Sequence, residues 1–312
     1  MYRIGIDLGG TNIAVGLVNK EMALIAKKST RTLSQRPSEE IASDMANLCL
    51  SLCEEQGIAI SDVASIGIAT PGIAEEATGT VVYSCNLPFR NFPIAKLISE
   101  KTGVSCVKIA NDANAAAFGE AVAGAAKGTK NSIMVTLGTG VGGGIILDGK
   151  IYSGFNAAAG ELGHIVIEID GVPCGCGRQG CWEAYSSATA LARMTREKIE
   201  ECRASGRETI MARAPKISGR TACDAMRAGD AAAKEVYDKY VKYLASGLAT
   251  VINIFRPEVI SLGGGVSGEG QSLIDDLLPL VRKEQHANIS TDLRIAMLGN
   301  DAGIIGAAML GA

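Results

Sequence analysis

Residues 2–18 read YRIGIDLGGTNIAVGLV: an apolar run, a Gly9-Gly10-Thr11 turn, and a second apolar run. Residues 131–147, NSIMVTLGTGVGGGIIL, follow the same plan, with Leu8-Gly9 aligning onto Leu137-Gly138. Each predicts strand, tight glycine turn, strand. Strand and turn chemistry can recur by chance. Two such hairpins about 130 residues apart nevertheless point to a duplicated α/β domain, each half giving one phosphate-facing turn to a shared cleft. Glycine turns expose backbone N–H groups with no side chain in the way, a concavity suited to anionic oxygens. The hydroxyls of Thr11 and Thr139 could add donors. The dinucleotide pattern G-x-G-x-x-G starts at Gly138 and again at Gly263, but strand chemistry follows Gly143 where a dinucleotide site needs a helix. No G-x-x-x-x-G-K-[ST] segment exists.

A second informative stretch is Glu161 to Glu183, ELGHIVIEIDGVPCGCGRQGCWE. Cys174, Cys176 and Cys181 fall within eight residues, ten residues after His164, one of only two histidines. Three thiolates and one imidazole are the ligand set of a closed tetrahedral structural zinc site. The alternatives are a disulfide or buried small side chains. A disulfide would leave one of the three sulfurs over, and neighbours this close rarely reach its geometry.

The 312 residues suggest one large or two medium domains. Hydrophobic and charged shares of 47% and 20% are those of a soluble globular protein. A net charge of −3 and a pI near 5.6, without a basic stripe, give no reason to expect nucleic-acid binding. No apolar run approaches the roughly 18 residues a membrane span needs. Asp7 interrupts the N-terminal apolar run, and no secretory cleavage signature follows. Six of the nine cysteines are dispersed, which fits reduced thiols in the cytoplasm better than a disulfide framework.

Helical periodicity appears at Glu39–Glu55, with Ile41, Met45, Leu48 and Leu52 on one face. Strands are expected at Ser65–Ala69 and Cys106–Ala110, then an Ala-rich helix over about 113–126. Further helices are expected near 188–205, 231–255 and 272–283, a strand near 293–298, and a last helix from Ile304. Strands alternating with helices give an α/β class. Asn111-Asp112 closes the strand before the Ala-rich helix, and spacing alone favours helix capping as the role of Asp112.

The motif C-x-C-G-x-x-G-C-x-E, preceded by E-x-G-H, resembles the signature of the ROK family of bacterial sugar kinases and sugar-responsive repressors. The match runs through Glu161, Gly163, His164, Cys174, Cys176, Gly177, Gly180, Cys181 and Glu183. Asp7 to Asn12 and Leu137 to Gly140 are similar to the two phosphate loops of the actin–hexokinase–Hsp70 ATPase fold, to which that family belongs. The resemblance therefore implies a duplicated, ribonuclease H-like α/β fold with two lobes around a cleft. Residues 1–115 with the helix at about 302–312 would form the smaller lobe, and 116–301 the larger.

The same resemblance implies roles. Asp112 would be the catalytic base toward a sugar 6-hydroxyl and Asn111 a hydroxyl partner. Glu161, His164 and Glu183 would contact the sugar, with Gly72 and Asn86 on further sugar-side loops. Asp7 would stand near the magnesium of MgATP. Gly9, Gly10, Thr11 and Asn12 would form the first phosphate loop, and Gly138, Thr139 and Gly140 the second. Gly263, Gly264 and Gly265 look like the adenosine loop, although a plain strand-to-helix turn would read the same. Zinc on His164 would fix the second ring nitrogen toward the sugar.

The expected activity is ATP-dependent phosphorylation of a hexose, glucose first, with N-acetylmannosamine, allose or fructose as alternatives. Many glucokinases of the family carry Gly-Trp where this chain has Pro88-Phe89-Arg90-Asn91, which puts glucose in some question. The other class is a non-catalytic sugar-binding regulator. Such regulators carry a helix-turn-helix segment before the first phosphate loop, and Asp7 leaves no room for one. An actin-type ATPase without a sugar would have no use for the cysteine loop. A homodimer or homotetramer is the assembly that the resemblance implies.

Overall fold

The computed structural model describes residues 1–287 and 291–312. Strands β1 (Tyr2–Leu8), β2 (Asn12–Val18) and β3 (Leu24–Arg31) lead to helix α1 (Ser38–Glu55) and strand β4 (Val63–Thr70). Three short strands follow, β5 (Ile73–Glu75), β6 (Thr80–Tyr83) and β7 (Arg90–Phe92), then α2 (Ile94–Thr102), β8 (Val107–Asn111) and α3 (Asp112–Ala123). The chain continues through β9 (Ser132–Leu137), β10 (Val141–Leu147) and β11 (Lys150–Ile151). Four helices come next, α4 (Glu183–Ser186), α5 (Ala188–Ser205), α6 (Thr221–Arg227) and α7 (Ala231–Phe255). It ends with β12 (Val259–Gly263), α8 (Gln271–Glu284), β13 (Asp292–Ile295) and α9 (Ala302–Met309).

The two glycine hairpins open two sheets of the same plan, β3-β2-β1-β4-β8 and β11-β10-β9-β12-β13. In the first, β1 and β2 run antiparallel with Leu8 opposite Ile13, while β4 pairs in parallel with both β1 and β8. In the second, β12 and β13 run parallel, with Val259 opposite Asp292. The echo between residues 2–18 and 131–147 is thus an echo of whole sheets, as the α/β reading requires.

Two compact units emerge: Met1–Met134, Gly144–Gly160 and Met297–Ala312 form one, Val135–Gly143 and Glu161–Ala296 the other. The first unit extends past the boundary expected near residue 115. The reason is α9, which packs on α3 and on the sheet by backbone contact. A Cβ on Gly67 would lie 1.7 Å from the Ala307 carbonyl oxygen, and one on Gly306 1.7 Å from that of Ala115. Glu120, wholly buried on α3, fixes the approach to α9 by accepting from the N–H groups of Met297 and Leu298 at 3.1 and 2.7 Å. Its carboxylate also takes the Ala125 N–H at 2.7 Å, so α3 stops at Ala123, short of the expected 126.

The first unit's core follows the two periodicities. Ile4, Ile6 and Leu8 alternate along β1, and Ile13, Val15 and Leu17 along β2, all with no exposed surface. Ile41, Met45, Cys49 and Leu52, at helical spacing on α1, join the same cluster. In the second unit Trp182 is fully buried against α7, where a Cβ on Gly247 would stand 2.0 Å from the indole. Its Nε1 donates to the Tyr243 carbonyl at 3.2 Å. The residue after Cys181 is therefore held on the longest helix.

Candidate active site and metal centre

The turn between β1 and β2 is pinned from behind by buried Thr32, whose Oγ1 donates to the Gly9 carbonyl at 2.6 Å and whose N–H donates to that of Thr11 at 2.9 Å. With the carbonyls drawn back, the Gly10 and Thr11 N–H groups have no partner among the described residues. That is the donor concavity an anion needs. Asn12 opens β2, and its carbonyl accepts from Gly9 N–H at 2.9 Å. A Cβ on Gly10 would meet that of Asn86 at 3.6 Å, so the exposed Asn86 loop flanks this turn.

Asp7 points its carboxylate at the head of α9, where a Cβ on Gly303 would stand 3.2 Å from Cγ and Oδ2. Burial, and then the neighbouring Asp112 charge, raise its pKa from 3.8 to about 6, against a lowering pull from Lys27. A half-buried carboxylate without a hydrogen-bond partner among the described residues has the chemistry to take a cation.

Asn111 and Asp112 divide the work at the head of α3. Asn111 is the N-cap: its Oδ1 accepts from Ala113 and Asn114 N–H at 3.0 and 3.3 Å, and its Nδ2 donates to the Gly72 carbonyl at 3.1 Å. One amide hydrogen remains for a ligand. Asp112 is the first helical residue and exposed, with Oδ1 2.9 Å from Ala113 N–H and Oδ2 unpartnered among the described residues. Capping thus falls one residue earlier than spacing suggested, and Asp112 Oδ2 is left free. Gly72 has φ +95°, and a Cβ there would meet the Tyr83 carbonyl at 2.1 Å. The Pro88–Asn91 departure is absorbed by packing. Phe89 is fully buried and stacks on Phe92 at 4.9 Å, and Arg90 locks the loop by donating to the Ser84 and Phe89 carbonyls.

In the second unit, Gly138 N–H donates to the Gly140 carbonyl at 3.0 Å and the Thr139 carbonyl accepts from Thr189 Oγ1 at 2.8 Å. Gly264 bends the loop after β12, φ +84°, back onto Leu137, where a Cβ would stand 2.6 Å from the carbonyl oxygen. The second and third glycine loops, Gly138–Gly140 and Gly263–Gly265, are therefore neighbours. Glu183, at the head of α4, accepts from Val141 N–H through Oε2 at 3.0 Å. Glu161 is exposed just before the 3-10 turn Leu162–His164. A cavity of about 210 Å³ beside the second glycine turn is lined by Thr139, Cys174, Glu183, Ser187, Thr189 and Arg193, among others.

His164, Cys174, Cys176 and Cys181 bring one ring nitrogen and three sulfurs within 4.8 Å of one another. Cys174 Sγ lies 3.7 Å from His164 Nδ1, and the Cys176 and Cys181 sulfurs are 3.7 Å apart. A tetrahedral ion with legs of about 2.3 Å to sulfur and about 2.0 Å to nitrogen spans roughly 3.5–3.8 Å between ligand atoms. A disulfide needs about 2.05 Å. The four residues fit zinc. Burial and the adjoining thiols push Cys181 up to about 12, so a cation is what would draw it into the thiolate form.

Thr32, Gly303 and Trp182 carry no motif and were invisible in sequence; their partners lie far along the chain. A model of the ROK family matches residues 3–312. A glucokinase of Halalkalibacterium halodurans is 36% identical over 312 residues, 99% of this chain and 94% of that protein. A glucokinase of Thermotoga maritima is 34% identical over 310 residues, 98% and 96% of the two chains. The crystal structure of a ROK family glucokinase from Streptomyces griseus in complex with glucose and AMPPNP superposes with a TM-score of 0.77 at 33% identity, covering 100% of this chain and 99% of that one.

Proposed function

The chain belongs to the ROK family, and from that membership and the geometry above we propose that it is an ATP-dependent hexose kinase acting on the 6-hydroxyl of glucose. The observation that carries the proposal is the head of α3, where Asn111 takes over capping and leaves Oδ2 of the Asp112 carboxylate free at a strand end. Asp112 accepts the 6-hydroxyl proton as the oxygen attacks the γ-phosphorus. The O6–P bond forms, the bond to the β–γ bridging oxygen breaks, and ADP departs. Such a transfer asks the protein for positioning and charge stabilisation more than covalent work.

Backbone N–H groups at Gly10, Thr11, Thr139 and Gly140 receive the phosphates, with Asn12 beside them; Gly9 and Gly138 close the two turns through their own N–H bonds to the Asn12 and Gly140 carbonyls, and Gly263–Gly265 receive the adenosine. Asp7 is the residue toward magnesium, which when bound with the nucleotide neutralises phosphate charge. Hydroxyls of the sugar are paired donors and acceptors. Glu161, His164, Glu183, Asn86, Gly72 and the remaining Asn111 N–H suit them. His164, Cys174, Cys176 and Cys181 hold a structural zinc, and Nδ1 of His164 faces the sulfurs, leaving Nε2 for the sugar. The two units correspond to the two lobes of the family. The charge of −3 favours neither nucleic acid nor an anionic membrane, and no helix among the described residues is long and apolar enough to cross a bilayer. We place the enzyme in the cytoplasm as a homodimer or homotetramer, which sedimentation would check.

A coupled assay with MgATP and a panel of glucose, mannose, N-acetylmannosamine, allose and fructose tests the reading. Sugar 6-phosphate should form, with glucose fastest. Inactivity across the panel would reject the kinase, and a different fastest sugar would reject glucose alone.

A further inference from the structure

We infer that Glu183 and Gly163 couple the cysteine-loop metal centre to the second glycine turn, so that the metal sets the shape of the nucleotide cradle as well as the sugar site. This rests on the kinase reading above. Val141 is met from two directions by residues adjoining metal ligands. Its N–H donates to Glu183 Oε2 at 3.0 Å, and Glu183 lies two residues after Cys181. Its carbonyl oxygen would stand 2.2 Å from a Cβ on Gly163, which immediately precedes His164. Glu183 Oε1 also reaches to 3.8 Å from Cys174 Sγ.

The path from the ion to the turn is short and stiff. Cys181 and Trp182 are both fully buried, and the indole is tethered to α7, so Glu183 follows wherever Cys181 is held. The turn is shaped to receive it. A Cβ on Gly140 would stand 2.2 Å from Glu183 Oε2, and the next two atoms it would meet, at 3.1 and 3.8 Å, also belong to that side chain. With an ion bound, His164 and Cys181 stand at fixed distances from one another, and Gly163 and Glu183 hold the Val141 peptide at a fixed place. Without it nothing ties Cys181 to His164, and the turn loses the fixed placement of both neighbours.

The test is calorimetric titration of MgADP, without sugar, into the zinc-loaded enzyme and into enzyme stripped by a chelator. Stripping should weaken MgADP binding at least tenfold, and added zinc should restore it. Because the stripped protein could unfold, a zinc-loaded mutant cycle gives an independent reading. Gly140→Ala should weaken MgADP by a similar factor, yet cost nothing further in a Glu183→Ala background, where the colliding oxygen is gone. Glu183→Gln, whose amide oxygen can accept the same N–H, should hold MgADP more tightly than Glu183→Ala. Unchanged MgADP affinity in the folded stripped enzyme, or additive effects of Gly140→Ala and Glu183→Ala, would overturn the coupling. Failure of the loaded enzyme to bind MgADP at all would instead bring down the kinase reading beneath it.

Discussion

At the scale of single residues, two aspartates have opposite burdens. Asp112 is exposed and spared from capping, so Asp112→Asn should leave thermal stability nearly unchanged while kcat falls by about 10²–10⁴-fold, the usual contribution of a general base. Asn111→Ala should do the reverse first, costing about 1 kcal/mol or more of stability through the lost cap. Asp7 is charged at a cost. Its folded pKa of about 6 lies above the unfolded value of 3.8, so the stability it contributes is complete below pH 3.8 and lost as pH rises through about 6. Asp7→Asn should therefore stabilise the fold by about 3 kcal/mol at pH 7.5 and hardly at all at pH 4, while abolishing activity. Denaturant melts at the two pH values would show it. Equal gains at both would mean that the Asp7 charge is not what strains the fold.

Among secondary-structure elements, α9 has the least room. It touches β4 and α3 through glycines, and the listening point is Gly306, where a methyl group meets the Ala115 carbonyl. Backbone cannot swing aside as a side chain can, so Gly306→Ala should cost about 1–3 kcal/mol despite its better helix propensity. Chemical denaturation would measure this; a stabilised variant would show that α9 sits off α3 in solution. The long helices and the two hairpins were legible because their periods of 3.6 and 2 are written in adjacent residues. Strand β3 was not, since LIAKKSTR mixes lysines into an edge strand that is half exposed. The small sheet β5-β6-β7 and the seven-residue α6 are too short to show a period.

For the whole molecule, the metal centre offers the broadest test. Elemental analysis should find one zinc per chain from the four-ligand count. A chelator should remove stabilisation of about 4 kcal/mol if free zinc stands near a thousandfold over Kd. A metal-free protein with the same unfolding midpoint would refute the site. The candidate ligands were readable because all four fall between residues 164 and 181. Glu183 was readable as polar and near the sugar motif, but not as an acceptor from Val141, 42 residues earlier in the chain.

Local chemistry can be read from neighbours along the chain, and so the residues themselves determined the glycine turns, the sulfur cluster, the α/β alternation and the family. Choices between chemically equivalent residues were left to packing. Asn111 and Asp112 are both good caps, and only the position of Gly72 beside the helix start assigns the cap to one and frees the other. Tertiary structure alone likewise decided that α9 closes on α3 and that Thr32 braces the first turn. Those contacts join groups 23 to 191 residues apart, between Thr32 and Gly9 and between Gly306 and Ala115, and no local pattern encodes such a distance.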